Sequence, residues 1–289
     1  MPLTPEERKT WRQKLNAITD DEFIAMDEAE FRARFRERLH HTLEIQTYAS
    51  AYRKHRLNPN QADYAKRLVS IWEKRGLPLD APEYHFAKTL IDFADRLARG
   101  EQIDLSSFAP APITQQEAAA FTRILMERRS VREFKNDIVP DDLIDKILNA
   151  GLWAAHACNL QSIRYLVVRE SKTPGMFRGS DVPGGPVHLV ICQDMRVYKA
   201  NQFMPEKNIL LDAGAAGQNL VMAAYAYGLD SVWLTFNETS EIRQRLREYF
   251  KLPDYIEIVT YVDVGYGDQT PCPPYRQSVR DCIIGRTPL

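Results

Sequence analysis

No charge of either sign predominates in this chain: 38 Lys and Arg face 39 Asp and Glu over 289 residues, a formal net charge of -1. No whole-chain field therefore draws it to nucleic acid or to an anionic lipid surface. Cysteine is scarce and scattered. Cys158, Cys192, Cys272 and Cys282 form no Cys-x-x-Cys pair, so neither a zinc site nor a redox dithiol is indicated, and four isolated thiols fit a reducing compartment. Long apolar runs are also missing. The most apolar stretch, Ile209 to Gly228, carries Asp212, Gln218 and Asn219 and is rich in Ala and Gly, unlike a membrane span. The opening Met1-Pro2-Leu3-Thr4-Pro5-Glu6-Glu7 lacks the basic start and apolar stretch of a signal peptide. No Gly-x-Gly-x-x-Gly leads from a strand pattern into a helix, which argues against a Rossmann nicotinamide domain. The expectation is a cytoplasmic protein acting on a small molecule, with no nucleic acid, membrane or metal partner.

What is present is an ordinary globular composition, 44% hydrophobic and 27% charged, with length for one large domain or two of common size. Up to Gly100 the texture is helical. Phe31, Phe35 and Leu39 recur at four-residue steps, Leu68 and Trp72 do likewise, and Pro59, Gly76-Leu77-Pro78 and Pro82 punctuate three or more helices. This stretch to Pro110 is balanced, 18 basic against 18 acidic residues, which argues against a nucleic-acid arm. Ser106 to Pro112 reads as a linker, dividing a helical domain at 1–110 from a second domain at 111–289.

After the linker, Thr114-x-x-Glu117 is a capping-box signature, and Phe121, Ile124 and Leu125 give the following helix an apolar face. Pro140-Asp141-Asp142 opens another helix, with Leu143, Ile144, Ile147 and Leu148 on one side and Gly151 placed to end it. Strand-like runs follow at Tyr165–Val168, Val187–Cys192, Ser231–Leu234 and Tyr255–Val264. A small-residue helix from Asp212 to Tyr227, ended by Gly228, lies between the second and third. Strands mixed with helices but not alternating regularly with them imply an α+β fold around a mixed central sheet.

The densest chemistry lies at Arg128-Arg129-Ser130-Val131-Arg132-x-Phe134, answered by Arg276 near the other end. Three cations and a hydroxyl where a helix stops form either a solvated helix end or an anion site. Glu37-x-x-His40, with Glu44 nearby, has the spacing of half a di-iron carboxylate site. No second half exists, so His40 and His41 read as polar residues of a charged helix.

In order along the chain, Arg128 to Phe134, Asn159-x-Gln161, Asp212-Ala-Gly-Ala-Ala-Gly-Gln-Asn-Leu through Gly228-Leu229-Asp230-Ser231, and Pro273-Pro274-Tyr275-Arg276 resemble the motifs of the FMN-dependent nitroreductase family. The resemblance covers roughly Thr114 to Gly285. It implies a homodimer with FMN at the subunit interface, and NADH or NADPH as a transient electron donor. Turnover would be ping-pong, through flavin N5 to a nitro, quinone or similar acceptor. It further implies that Arg128, Ser130 and Arg276 hold the phosphate, that Arg129 helps, and that Arg132 reaches the ribityl or pyrimidine side. Asn159 and Gln161 would contact the ring edge, and Trp233, Leu234 and Thr235 would pass beside N5. No acid or base residue is implied as catalytic. Turn bonding is the alternative for Asn159 and Gln161, and core packing for Trp233 and Leu234. Ala155-His156 and Ser162-Ile163 depart from the family pattern. His156 thus falls at a flavin-contacting position, where it either meets the cofactor or serves the fold. The link from Arg169 to Val187 is short for the helix common in relatives. These departures leave room for oxidation or reductive dehalogenation of a specialised metabolite, and a third reading is a flavin-binding regulatory module with a protein partner.

Overall fold

The computed structural model describes residues 4–287 apart from 5, 8, 11, 12, 14–16, 202, 203, 205, 206 and 238–240. Met1, Pro2, Leu3 and Pro5 of the opening stretch thus lie outside the described residues. Helices α1 (Asp20–Ala25), α2 (Glu28–Arg38), α3 (Ile45–Arg53), α4 (Pro59–Lys74) and α5 (Pro82–Ala98) make up the N-terminal part, with a π-helical turn at Leu39–Glu44 between α2 and α3. Their ends are written locally. Thr19 and Glu22 form a capping box on α1, Asp27 accepts the amides of Ala29 and Glu30, and Asn58 caps α4, whose first residue is Pro59. Each such cap contributes about 1 kcal/mol. The four-residue spacing of Phe31, Phe35 and Leu39 aims these side chains inward, where Phe35 packs 4.9 Å from Trp72, centroid to centroid, and Phe23, Leu68, Ala87 and Leu90 close the core.

The remaining chain forms α6 (Gln115–Glu127), α7 (Asp141–Leu152), β1 (Ile163–Arg169), β2 (Val187–Asp194), α8 (Lys207–Ala226), β3 (Asp230–Thr235), α9 (Ile242–Phe250), β4 (Ile256–Gly265) and a short α10 (Val279–Cys282). The fold is α+β. The sheet order is β1-β2-β4-β3 with every ladder antiparallel, and a single parallel bridge joins Ser130 to Ser231 at the start of β3. β2, flanked on both sides, is buried along its whole length, whereas β3 at the edge alternates toward exposure. One sheet face packs on α7 and α8, through Ile144, Ile147, Leu220 and Val264 among others. The other meets α9 and the 170–186 segment, through Phe177, Leu246 and Tyr261.

That 170–186 segment holds turns and no helix, as its glycines imply. Phe177 stacks at 3.7 Å on His188, which is paired with Asp263, and Ser180 Oγ lies 2.6 Å from the Tyr261 hydroxyl. One expectation about α7 needs correcting. Gly151 does not end α7, which continues to Leu152. It instead makes room for the Tyr165 hydroxyl, which lies 2.2 Å from where a Cβ would stand. The apolar face of α6 is not packed within this chain: Phe121, Leu125 and Met126 are exposed, and no α6 residue is buried.

The N-terminal helices touch the sheet domain chiefly through α2. Ala33 packs with Leu160, Val197, Tyr198 and Ala200, and Arg196 Nη1 reaches Asp27 at 3.0 Å while its guanidinium lies over Tyr255. Among the described residues no helix is long and apolar enough to cross a membrane.

The small residues of α8 have separable roles. A Cβ on Gly217 would lie 2.7 Å from the Trp233 ring, whereas one on Gly214 would meet only the ring edge, at 4.0 Å. Gly217→Ala should therefore destabilise by about 1–3 kcal/mol, and Gly214→Ala should be neutral or stabilise by up to about 1 kcal/mol. Chemical denaturation of the two variants checks this, and equal effects would contradict the packing.

Candidate functional site

Arg128 caps the C-terminus of α6, its own amide bonding to Ile124 O, and leaves the helix in an extended conformation. Arg129 folds back: its Nη1 donates to the carbonyls of Met126 (2.9 Å), Glu127 (2.5 Å) and Arg128 (3.1 Å). A cation on the free carbonyls of a helix end is favourable, and this use turns Arg129 away from an outward contact. The next residues are tied to the sheet. Val131 N–H donates to Ser231 O at 3.1 Å, Lys135 N–H to Tyr266 O at 2.8 Å, and Asp268 N–H to Glu133 O at 2.8 Å. Arg132 is fixed through its backbone amide, 2.6 Å from Gln269 Oε1, with its guanidinium exposed.

Arg276 arrives from the segment after β4 and lies close enough to Arg128 to matter electrostatically. Burial, then Arg276, then Arg129 hold the Arg128 guanidinium below its usual pKa. Among the described residues none of Arg128, Arg129, Arg132 and Arg276 has a carboxylate within ion-pair distance. Like charges gathered without a counter-charge repel, and a bound anion is the direct remedy. Two guanidinium forks and the Ser130 hydroxyl match a phosphate, with charge-assisted bonds each of about 1.5–3 kcal/mol.

The second group is the turn after α7. Cys158, Asn159 and Gln161 have φ of 49°, 51° and 56°, left-handed conformations that cost non-glycine residues about 1–3 kcal/mol each. A buried polar network holds them. Ala157 N–H donates to Asp212 Oδ1 at 3.0 Å, the Tyr198 hydroxyl to Asp212 Oδ2 at 3.0 Å, and Ser162 Oγ lies 2.9 Å from the same hydroxyl. Asp212, within α8, is thereby a support for this turn. In the sequence it heads one of the family-like motifs and interrupts an apolar helix, but nothing there assigns it this supporting role. Asn159 and Gln161 bond to each other, Gln161 Nε2 to Asn159 Oδ1 at 3.1 Å, and cap no helix. His156 uses Nδ1 on Ala154 O at 2.7 Å, and its Nε2 is buried without a partner among the described residues. A neutral His156 so held presents an acceptor at Nε2, not a donor. Ser162 and Ile163, the other departure from the family pattern, are both buried in the fold.

The third group lies on β3. Trp233 Nε1 donates to Thr260 Oγ1 at 2.8 Å, its ring rests over Gly217, and 37% of the residue remains exposed. Leu234 is half-buried and packs on the sheet face with Phe236 and Tyr261, whereas Thr235 ends the strand exposed. The fold thus gathers Arg128, Arg129, Ser130 and Arg276, and places Ser130 against Ser231, two positions before Trp233. No hydrogen bond or ion pair joins His156, Asn159 or Gln161 to that cluster among the described residues. The histidines of the di-iron spacing lie elsewhere. His40 Nδ1 is 2.6 Å from Glu44 Oε2 within the π-helical turn, and His41 lies beside Cys158.

Known proteins bear on this arrangement. The sequence profile of the Nitroreductase family matches residues 125–174 and 175–266. A protein of Archaeoglobus fulgidus, provisionally named NADH dehydrogenase/NAD(P)H nitroreductase, is 30% identical over 149 residues, spanning 50% of this chain and 83% of that protein. The NADH dehydrogenase of Thermus thermophilus is 28% identical over 213 residues, 62% of this chain and 99% of that one. A nitroreductase-like protein of Streptococcus mutans shares the fold with a TM-score of 0.51 at 21% identity, covering 59% of this chain and 100% of that structure. The family profile begins after the N-terminal helices and ends before Arg276.

If the arginine cluster is an anion site, inorganic phosphate should raise the melting temperature by about 2 °C or more over chloride at matched ionic strength. Phosphate also stabilises proteins generally, so the deciding comparison is Arg276→Ala, which should lose that increment. An increment undiminished in the variant would dismiss the site.

Proposed function

Because the chain belongs to the nitroreductase family, we propose that it is an FMN-dependent NAD(P)H oxidoreductase with the cofactor phosphate held by Arg128, Ser130 and Arg276. One observation carries the assignment of the phosphate site: the fold assembles these cations from distant parts of the chain, and among the described residues no carboxylate pairs with them. Such a set has little value to the protein without an anion. FMN held there would supply two-electron chemistry at N5, suited to ping-pong transfer of reducing equivalents from NADH or NADPH to a nitro, quinone or similar small acceptor.

The side chains of this protein would bind and orient. Arg132, exposed beside the sheet edge, supplies positive charge that favours an electron-rich ring. Asn159 and Gln161 offer amide groups on a turn already fixed, and the buried His156 Nε2, which has no partner among the described residues, is free to bond a polar group of a ligand. Trp233, Leu234 and Thr235 furnish a rigid wall along β3. Arg129 belongs to the site by its charge, although its donors serve the helix end.

We place the flavin-binding unit at 111–289 and a separate helical unit at 1–110, since the buried cluster from Phe23 to Ala94 is drawn wholly from the N-terminal helices and the loops between them. The exposed Phe121, Leu125 and Met126 on α6 give a second copy an apolar surface to bury, consistent with a homodimer that shares its flavins. The balanced charge and sparse thiols suit a cytoplasmic protein.

The purified protein should be yellow and release FMN on denaturation, and Arg276→Ala should raise the FMN dissociation constant about tenfold or more. A colourless chain that takes up no FMN, or an affinity unchanged by the substitution, removes the phosphate assignment. Anaerobic mixing with NADH and NADPH should bleach the flavin rapidly. Absence of bleaching by either would favour the second reading, oxidation or dehalogenation of a specialised metabolite, which the helix-free 170–186 segment favours by altering the pocket wall.

A further inference from the structure

The N-terminal helices do more than extend the molecule. We infer that Arg36 of α2 is a positioning residue for the cofactor, holding the Cys158–Gln161 turn in the conformation from which Asn159 and Gln161 act. This rests on the flavin reading above, and Arg36 itself lies outside the stretch matched by the family profile.

The argument begins with the turn. Three of its four residues are non-glycines in left-handed conformations, so outside support must over-determine it. Asp212 and Tyr198 grip its two ends from the sheet domain, through Ala157 N–H and Ser162 Oγ. Its centre is gripped from the N-terminal helices instead. Arg36 Nη2 donates at 2.8 Å to the carbonyl of Leu160, the residue between Asn159 and Gln161. Leu160 is fully buried and packs with Ala33, three positions before Arg36 and on the same face of α2.

Arg36 is costly for a residue that merely fills space. It is buried, its Nε has no partner among the described residues, and its counter-charge, Glu83, lies 3.6 Å from Nη1 while also pairing with Arg32 at 2.9 Å. Burial drives its pKa down to about 10, against the opposing pull of Glu83. An apolar side chain would fill this volume at lower cost. What an apolar residue could not do is bond the Leu160 carbonyl. That carbonyl belongs to the same peptide group as the Gln161 N–H, so the guanidinium polarises the amide and makes it a better donor. His41, just beyond α2, adds a second reach to the turn, with Nδ1 3.9 Å from Cys158 Sγ.

The test uses the full chain and two readouts: hydrogen exchange in flavin-free protein, and FMN affinity from quenching of flavin fluorescence. Arg36→Met keeps the stem and removes the donor. It should speed exchange at residues 157–162 by about tenfold, leave the core helix Ala62–Trp72 protected, and raise the FMN dissociation constant about tenfold. Arg36→Lys, which restores charge and a donor, should lie closer to the unaltered protein in both. If Arg36→Met does not fold, Arg36→Gln carries the same readouts with the same expected direction. Unchanged FMN affinity in a folded variant overturns the inference. So does exchange that rises equally in the turn and in Ala62–Trp72, since that marks a purely structural role. Failure of the flavin reading is visible separately, as an unaltered chain that takes up no FMN. The cofactor part of the inference then falls with it, and exchange reports on the turn alone.

Discussion

Arg128 and Arg276, brought within electrostatic reach of each other with no carboxylate in ion-pair distance among the described residues, are the constraint on which the candidate site depends. Cations on flexible segments would drift apart in water. Here one is fixed at a helix end and followed by a strip of chain bonded to Ser231 and Tyr266, so that the first strand residues and the end of the sheet hold it in place. The cost is a local one, and the stability of four paired strands covers it. A helix C-terminus, its carbonyls covered by Arg129, stands beside the late segment bearing Arg276, and an anion bound between Arg128 and Arg276 would relieve their repulsion.

The turn at Cys158–Gln161 poses a different problem, backbone strain instead of charge. Its solution is a buried hydrogen-bond network through Asp212, Tyr198 and Ser162, with Arg36 entering from the N-terminal helices. Networks of this kind are worth having only when nearly complete, because each unpaired buried group is expensive. Asp212 meets that condition by accepting from two elements at once. Trp233 shows the same economy in apolar form. Its ring fits only because position 217 in α8 carries no side chain, and its indole N–H is satisfied by Thr260 on the neighbouring strand.

Much of this was legible in the residues. The capping box at Thr114 and Glu117, the four-residue apolar steps of Phe31, Phe35 and Leu39, and the β-branched runs of the four strands each depend on neighbours a few positions away, and all appear where expected. The apolar face of α6 was legible but its exposure was not, because amphipathic spacing says that a helix has an apolar side, not what covers it. Gly151 was misread as a terminator because a glycine near a helix end serves either a left-handed cap or a close approach. Only Tyr165, arriving from β1, decides between them. The double use of Asp212 and the folding back of Arg129 were hidden for the same reason: their partners are set by where other elements come to lie.

Local rules, acting over one or two helical turns or along one strand, therefore determined the elements, several of their caps and the order of the motifs from the sequence alone. They also placed Arg128, Ser130 and Arg276 together as candidates, through resemblance and not through proximity. The tertiary structure decided which cations share a neighbourhood, that Arg129 is spent on its own helix, that His156 is tied to Ala154 O, and that α2 reaches into the turn bearing Asn159 and Gln161. Those outcomes turn on distances between residues far apart in the chain. Such distances follow from how the sheet pairs and how the helices pack upon it, and no periodicity within a single segment encodes them.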